Sequence, residues 1–189
     1  MMIKFIVSSI TLSLLSFYVF RVVVRRDYLN KEKLSPISYT LETLIFALHA
    51  NSIYLFFPVS WPNFPPLPDN NSLVYGSIAF IVIGLIILTI SFLNLGSGTS
   101  FGLDKNKLKT KYIYQYSRNP QLVGYGLILI GFVLLYFSWY SFGWFLIYLI
   151  ISFFMIKSEE EFLESKYQEE YKKYCKAVPR IIRLIRFDN

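Results

Sequence analysis

Hydrophobic positions in this chain come in long unbroken runs, not at alternate positions, so the pattern predicts helices and no strands. A helix needs roughly 20 residues to cross a hydrocarbon core about 30 Å thick, or about 17 at the short end. By that measure the sequence predicts five membrane spans, at 3–24, 39–59, 72–95, 120–137 and 140–157. The expected fold is an all-α integral membrane protein. Loop 60–71 is too proline-dense to be helical, and its Trp61 suits an interface anchor. Beyond the fifth span the pattern changes to an amphipathic helix over about 158–176. Leu163, Tyr167, Tyr171, Tyr174 and Val178 recur at three- and four-residue steps, the stripe of a helix packed on something. Glu159 and Glu160 border that stripe and are expected to face inward, whereas Glu161 is expected in solvent. Pro179 should end or kink the helix.

Charge orients these spans. The net charge of +7 by itself would fit a nucleic-acid partner, but of 19 Lys and Arg only Lys4 lies outside 21–33, 105–118 and 157–186. Loop 60–71 carries Asp69 and no base, and the 138–140 turn carries no charge. Positive loops stay cytoplasmic. The N-terminus is therefore expected outside and the C-terminus in the cytosol, with the basic segments facing the cytosol and no nucleic-acid partner. Residues 3–20 read as a retained span, because Arg21-Val22-Val23-Val24-Arg25-Arg26 follows and no small-x-small cleavage site is visible. One Cys excludes an internal disulfide, and one Cys with one His makes a metal site unexpected.

Polar residues inside or beside the spans carry the candidate chemistry. Glu42 and His49 are seven residues apart on one helical face. They either satisfy each other's helices by hydrogen bonds or line a substrate pocket. Gly96-Ser97-Gly98 closes the third span, where glycines allow close backbone approach to a ligand or merely a flexible helix exit. Ser117-Arg118-Asn119-Pro120 opens the fourth span, with Asn119 a good N-cap and Pro120 well placed in the first turn. An arginine there adds to the positive end of a helix and favours a carboxylate. Gly124 leaves the helix face thin enough for a neighbour or a ligand. Residues 121–156 are nearly uncharged and long enough for two spans, so a hairpin would return Glu159 and Glu160 to the membrane side of Arg118.

The run Leu108-x-Thr110-x-x-x-Tyr114-x-Tyr116-Ser117-Arg118-Asn119-Pro120-x-x-x-Gly124, followed by Glu159-Glu160-x-x-Leu163-x-x-x-Tyr167-x-x-Glu170-Tyr171-x-x-Tyr174-x-x-x-Val178-Pro179-Arg180, resembles the isoprenylcysteine carboxyl methyltransferase family. The wider superfamily includes the membrane phospholipid methyltransferases, whose glycine pair and glutamate pair are similar to Gly96-Ser97-Gly98 and Glu159-Glu160. The resemblance covers about residues 94–186. Asn119 stands where many members have His, and Leu122 where Tyr is frequent. Tyr112 replaces a usual Gly, and Tyr167-Gln168 a usual Phe-Gly.

The resemblance implies an S-adenosylmethionine-dependent methyltransferase, with the cofactor held between the C-terminal spans and the amphipathic helix. Its cofactor-site candidates, carried over by position, are Gly96, Gly98, Tyr114, Arg118, Asn119, Pro120, Gly124, Glu159, Glu160, Tyr171 and Tyr174. Arg118, Glu159 and Glu160 are the catalytic candidates, and Glu42 and His49 the substrate-pocket candidates. Residues 1–71 then form a substrate-side region and 72–189 the cofactor region. The expected partners are the bilayer and a hydrophobic or lipid-like methyl acceptor, a carboxylate or an amine. The expected chain is a monomer or weak homo-oligomer in the cell membrane of a prokaryote or the endoplasmic reticulum of a eukaryote, with a cytosolic site. Two other readings stay open: an NADPH-dependent lipid or sterol-type reductase, and a non-catalytic scaffold or transport subunit.

Overall fold

The computed structural model describes residues 1–95 and 108–182. Gly96 and Gly98 lie outside the described residues. All regular structure among those described is helical. Helix α1 (Met2–Tyr18) runs through a π-helical turn (Val19–Val24) into α2 (Arg25–Lys31) without a break. Then come α3 (Pro36–Asn51) with a 3₁₀ extension (Ser52–Leu55), α4 (Asn71–Leu95), a 3₁₀ turn (Tyr112–Gln115), α5 (Pro120–Leu135) and α6 (Trp139–Ala177). Among the described residues three helices are long and apolar enough to cross a membrane: Met2–Lys31, Asn71–Asn94 and Trp139–Ala177. Pro120–Leu135 is a shorter apolar helix.

Several boundaries differ from the hydropathy reading, each for a local reason. The first helix passes residue 24 and stops at Lys31, where Glu32 turns to φ 54°. The second span, expected at 39–59, begins earlier because Ser35 caps the helix ahead of Pro36. It loses helical geometry at Phe56, two residues ahead of Pro58, whose ring and missing N–H bar the helix from continuing. The fifth span runs on as helix past its expected end at residue 157, because no proline or glycine interrupts it there, and is kinked at Gln168 before a last helical stretch to Ala177. The part before the kink, residues 139–167, is about 44 Å long at 1.5 Å per residue, longer than a hydrocarbon core. At the kink Gln168 has φ 41° and ψ −113°.

Two packing devices position the rest. Helices α4 and α5 lie backbone to backbone along glycines: a Cβ on Gly84 would meet the Gly124 carbonyl oxygen at 2.6 Å, and one on Gly131 the Ser77 carbonyl oxygen at 2.7 Å. Such small-residue seams drive helix association where no hydrophobic force operates between apolar surfaces. The outward side of α4, including Tyr75, Ile78, Val82, Ile83 and Ile86, is exposed and apolar, a face suited to lipid. Helix α6 is the other organiser, packing on α1, the π turn, α2 and α5. Its N-terminus is closed by a reciprocal Ser138–Ser141 capping box.

Beyond the apolar stretch, ion pairs bind α6 to the first helix. Arg21 donates to Ser158 Oγ at 3.1 Å and to Glu161 at 2.8 Å, and Arg25 donates to the second Glu161 oxygen at 2.6 Å. Glu161 is thus not a solvated residue as expected, but a half-buried anchor for two arginines, one helix face round from Glu160. Buried Asp27 similarly joins α2 to α3 by accepting from Ser35 and Ser38 and pairing with Lys31 at 2.8 Å.

Candidate active site

Pro120 sits at the first helical position of α5, and Asn119 before it is held out of the helix at φ −131°, ψ 58°. Asn119 makes no side-chain cap, contrary to expectation. Its amide instead donates to the Arg180 carbonyl at 2.9 Å, while its backbone N–H donates to Ser117 Oγ at 3.1 Å. Arg118 N–H donates to the Pro179 carbonyl at 3.0 Å. Two adjacent residues of the turn are therefore fastened to two adjacent residues beyond α6. Tyr174 adds a third fastening, its hydroxyl donating to the Tyr114 carbonyl at 2.7 Å. The expected tyrosine stripe is seen here as a small buried cluster of Tyr171, Tyr174 and Val178, with Leu108, Leu163 and Tyr167 against it.

This clamp brings Arg118 and Glu160 together. Arg118 Nη1 lies 2.9 Å from Glu160 Oε1, with 13% and 19% of the two side chains exposed. The same nitrogen is 3.0 Å from the Tyr171 hydroxyl and 2.8 Å from Cys175 Sγ. One nitrogen with two protons thus faces three acceptors, while buried Arg118 Nε has no partner among the described residues. Burial, helped by the Glu160 charge, pushes the Tyr171 hydroxyl well above its ordinary range, and burial raises Tyr174 likewise. Both phenols stay neutral and available for hydrogen bonds.

Arg180 was not among the sequence candidates. It closes the motif that carries the family resemblance, and its Nε and Nη2 fork onto Glu160 at 3.0 Å and 2.6 Å. The signal available in sequence was its place directly after Pro179, where the chain must turn back from the helix. Arg183 and Arg186 lie outside the described residues.

The remaining candidates fall elsewhere. Gly124 faces α4, where a Cβ would stand 2.7 Å from the Leu88 nitrogen. His49 is fully buried and stacks on Trp144, ring centroids 5.1 Å apart and nearly parallel. Its Nε2 is 3.0 Å from the Trp144 carbonyl, which can only accept, so Nε2 carries a proton and Nδ1 accepts from the Tyr125 hydroxyl at 3.1 Å. Trp144 returns a hydrogen bond to the His49 carbonyl at 2.8 Å. Both ring nitrogens are used in this interhelical clasp. Glu42 is half-buried on the same face of α3, and Glu159 is half-buried beside Glu160.

The donor set suits S-adenosylmethionine. A buried guanidinium with an orphaned N–H matches a carboxylate, neighbouring glutamates match an ammonium or a ribose diol, and tyrosines match adenine or a sulfonium.

Fold and site together define a helical membrane protein with a polar centre where an arginine turn meets the end of a long helix. A family model described as phospholipid methyltransferase matches residues 72–170, just over half of the 189 residues. The chain belongs to that family of membrane methyltransferases. The match spans α4, α5 and α6 as far as the irregular turn at Gln168. No curated protein matches the chain, and no solved structure does.

Proposed function

We propose that this protein is an S-adenosylmethionine-dependent methyltransferase acting on a lipid-like or isoprenylated acceptor at the cytosolic membrane face. The observation that carries this reading is the Arg118–Glu160 pair, with its unused Arg118 Nε, set in a chain of the phospholipid methyltransferase family. The cofactor supplies an activated methyl group on a sulfonium. Arg118 binds and orients its carboxylate, and Glu159 and Glu160 accept from its ammonium or ribose hydroxyls. Tyr171 and Tyr174 wall the site from water. Methyl transfer is an in-line displacement, so positioning and water exclusion are this chain's main contribution. A carboxylate acceptor needs no base. An amine acceptor would lose its proton to Glu159, Glu160 or Glu42.

The topology belongs to the same proposal: five crossings, N-terminus outside and C-terminus cytosolic. Helix α3 with its 3₁₀ extension reaches about 32 Å, enough for one crossing. Helix α5 reaches only about 24 Å and crosses a locally thinned bilayer against α4. In this arrangement the lateral face of the bundle admits the acceptor, and residues 1–71 shape its pocket.

Feeding labelled methionine to cells with and without the protein tests the proposal by mass spectrometry of extracted lipids and prenylated species. A labelled methylated product that depends on the protein and vanishes in Arg118→Ala is expected. Identical labelling in both extracts would remove the reading.

A further inference from the structure

We infer that Arg118 and Arg180 form a two-guanidinium carboxylate cradle, holding Glu160 here and the carboxylate of S-adenosylmethionine on binding. The inference rests on the cofactor reading above and adds a second clamp, Arg180, together with an exchange of partners at Glu160.

Three observations carry it. Two guanidinium groups share the one Glu160 carboxylate beside a largely buried site. Arg180 already binds a carboxylate in the bidentate fork that guanidinium geometry favours, through Nε and Nη2 to the two Glu160 oxygens. Arg118 does not: it presents only Nη1 to Glu160, shares it with Tyr171 and Cys175, and leaves Nε unused. Glu160 therefore satisfies one arginine well and the other poorly. A second carboxylate would complete the set.

Placement supports the same conclusion. Arg180 follows the Pro179 carbonyl that Arg118 N–H holds, and its own carbonyl is held by Asn119. Its backbone is thus locked in register with the turn that carries Arg118, while 52% of its side chain remains exposed and free to move. Arg118 and Arg180 release Glu160 and turn to the incoming carboxylate. Glu160, freed, stands ready to accept from the ammonium next to that carboxylate. An Arg180–Glu160 pair that only fastened the strap would be a half-exposed salt bridge of small value, with no bearing on ligand preference.

The test compares S-adenosylmethionine with decarboxylated S-adenosylmethionine, which keeps the ammonium and loses only the carboxylate. Calorimetry on the purified full chain gives both dissociation constants, and their ratio is insensitive to partial unfolding. The parent protein should favour the carboxylate form by roughly tenfold or more, the value of a charged hydrogen-bonded pair. In Arg180→Ala that preference should fall to near one, and Arg180→Lys should lie between. Glu160→Gln, which removes the resident carboxylate at constant shape, should widen it. Arg180→Ala weakening both ligands by the same factor would overturn the cradle while leaving the cofactor reading intact. A folded parent protein that binds neither ligand would remove the cofactor reading, and the cradle with it.

Discussion

Two residues in left-handed backbone conformations stand where the family resemblance calls for glycine. Tyr112 has φ 58° and Gln168 φ 41°. A side chain in that region costs about 1–2 kcal/mol, which glycine avoids. Tyr112 precedes the Arg118 turn, and Gln168 interrupts α6 one turn before Tyr171. The backbone keeps both turns in the absence of glycine because Tyr174, Asn119 and Arg118 fasten the segments on either side. Replacing Gln168 by Gly should therefore raise the thermal midpoint, by an amount equivalent to about 1 kcal/mol. Tyr112→Gly should do the same, because its exposed ring buries little and its removal offsets little of the gain. Thermal unfolding followed by circular dichroism in detergent checks both, and a lower midpoint for Gln168→Gly would contradict the strain. At this scale the sequence anticipated that Arg118 and Glu160 would meet and that the tyrosines would pack on them, as the structure shows. Glu161 was misjudged because the third of three glutamates looks solvated until the facing helix with Arg21 and Arg25 is known, and Arg180 was passed over for the same want of a visible partner.

Helix α6 does two jobs along one length. Its apolar part packs on α1 and α5, and its polar part carries Glu160, Tyr171 and Tyr174 to the Arg118 turn. Hydropathy divided them near residue 157, where polarity changes, whereas the backbone stays helical there and is kinked only at Gln168. Helix α5 is positioned differently, by glycines. Gly124 was read as open to a neighbour or a ligand, and sequence could not choose between them. The structure sets it against the α4 backbone, where a methyl group would stand 2.7 Å from the Leu88 nitrogen. Gly124→Ala should then separate the two helices at a cost of about 1–3 kcal/mol. The cofactor affinity of the folded fraction should hardly change. A detergent unfolding series paired with ligand titration distinguishes the two roles, because a direct contact would weaken binding without altering stability.

Across the whole molecule the all-helical class and the membrane character were legible, because continuous apolar runs of this length have few other solutions in water or lipid. What the runs could not convey was how helices end. Ser35 and Pro36 start α3 early, Phe56 stops it ahead of Pro58, and Glu32 ends α2 well past the apolar stretch. The arrangement that results gathers Arg118, Glu160, Tyr171 and Arg180 from segments up to 62 positions apart in sequence. It also withdraws His49 into a separate clasp with Trp144 and Tyr125. The proposed function requires that the Arg118 centre bind S-adenosylmethionine. Isothermal titration of the purified protein with S-adenosylmethionine, alongside a folded Arg118→Ala variant, tests it most directly. One molecule bound per chain is expected, weakened roughly tenfold to a hundredfold in the variant as a charged hydrogen-bonded contact is lost. No binding by the folded parent protein, or equal affinity in both, would contradict the account.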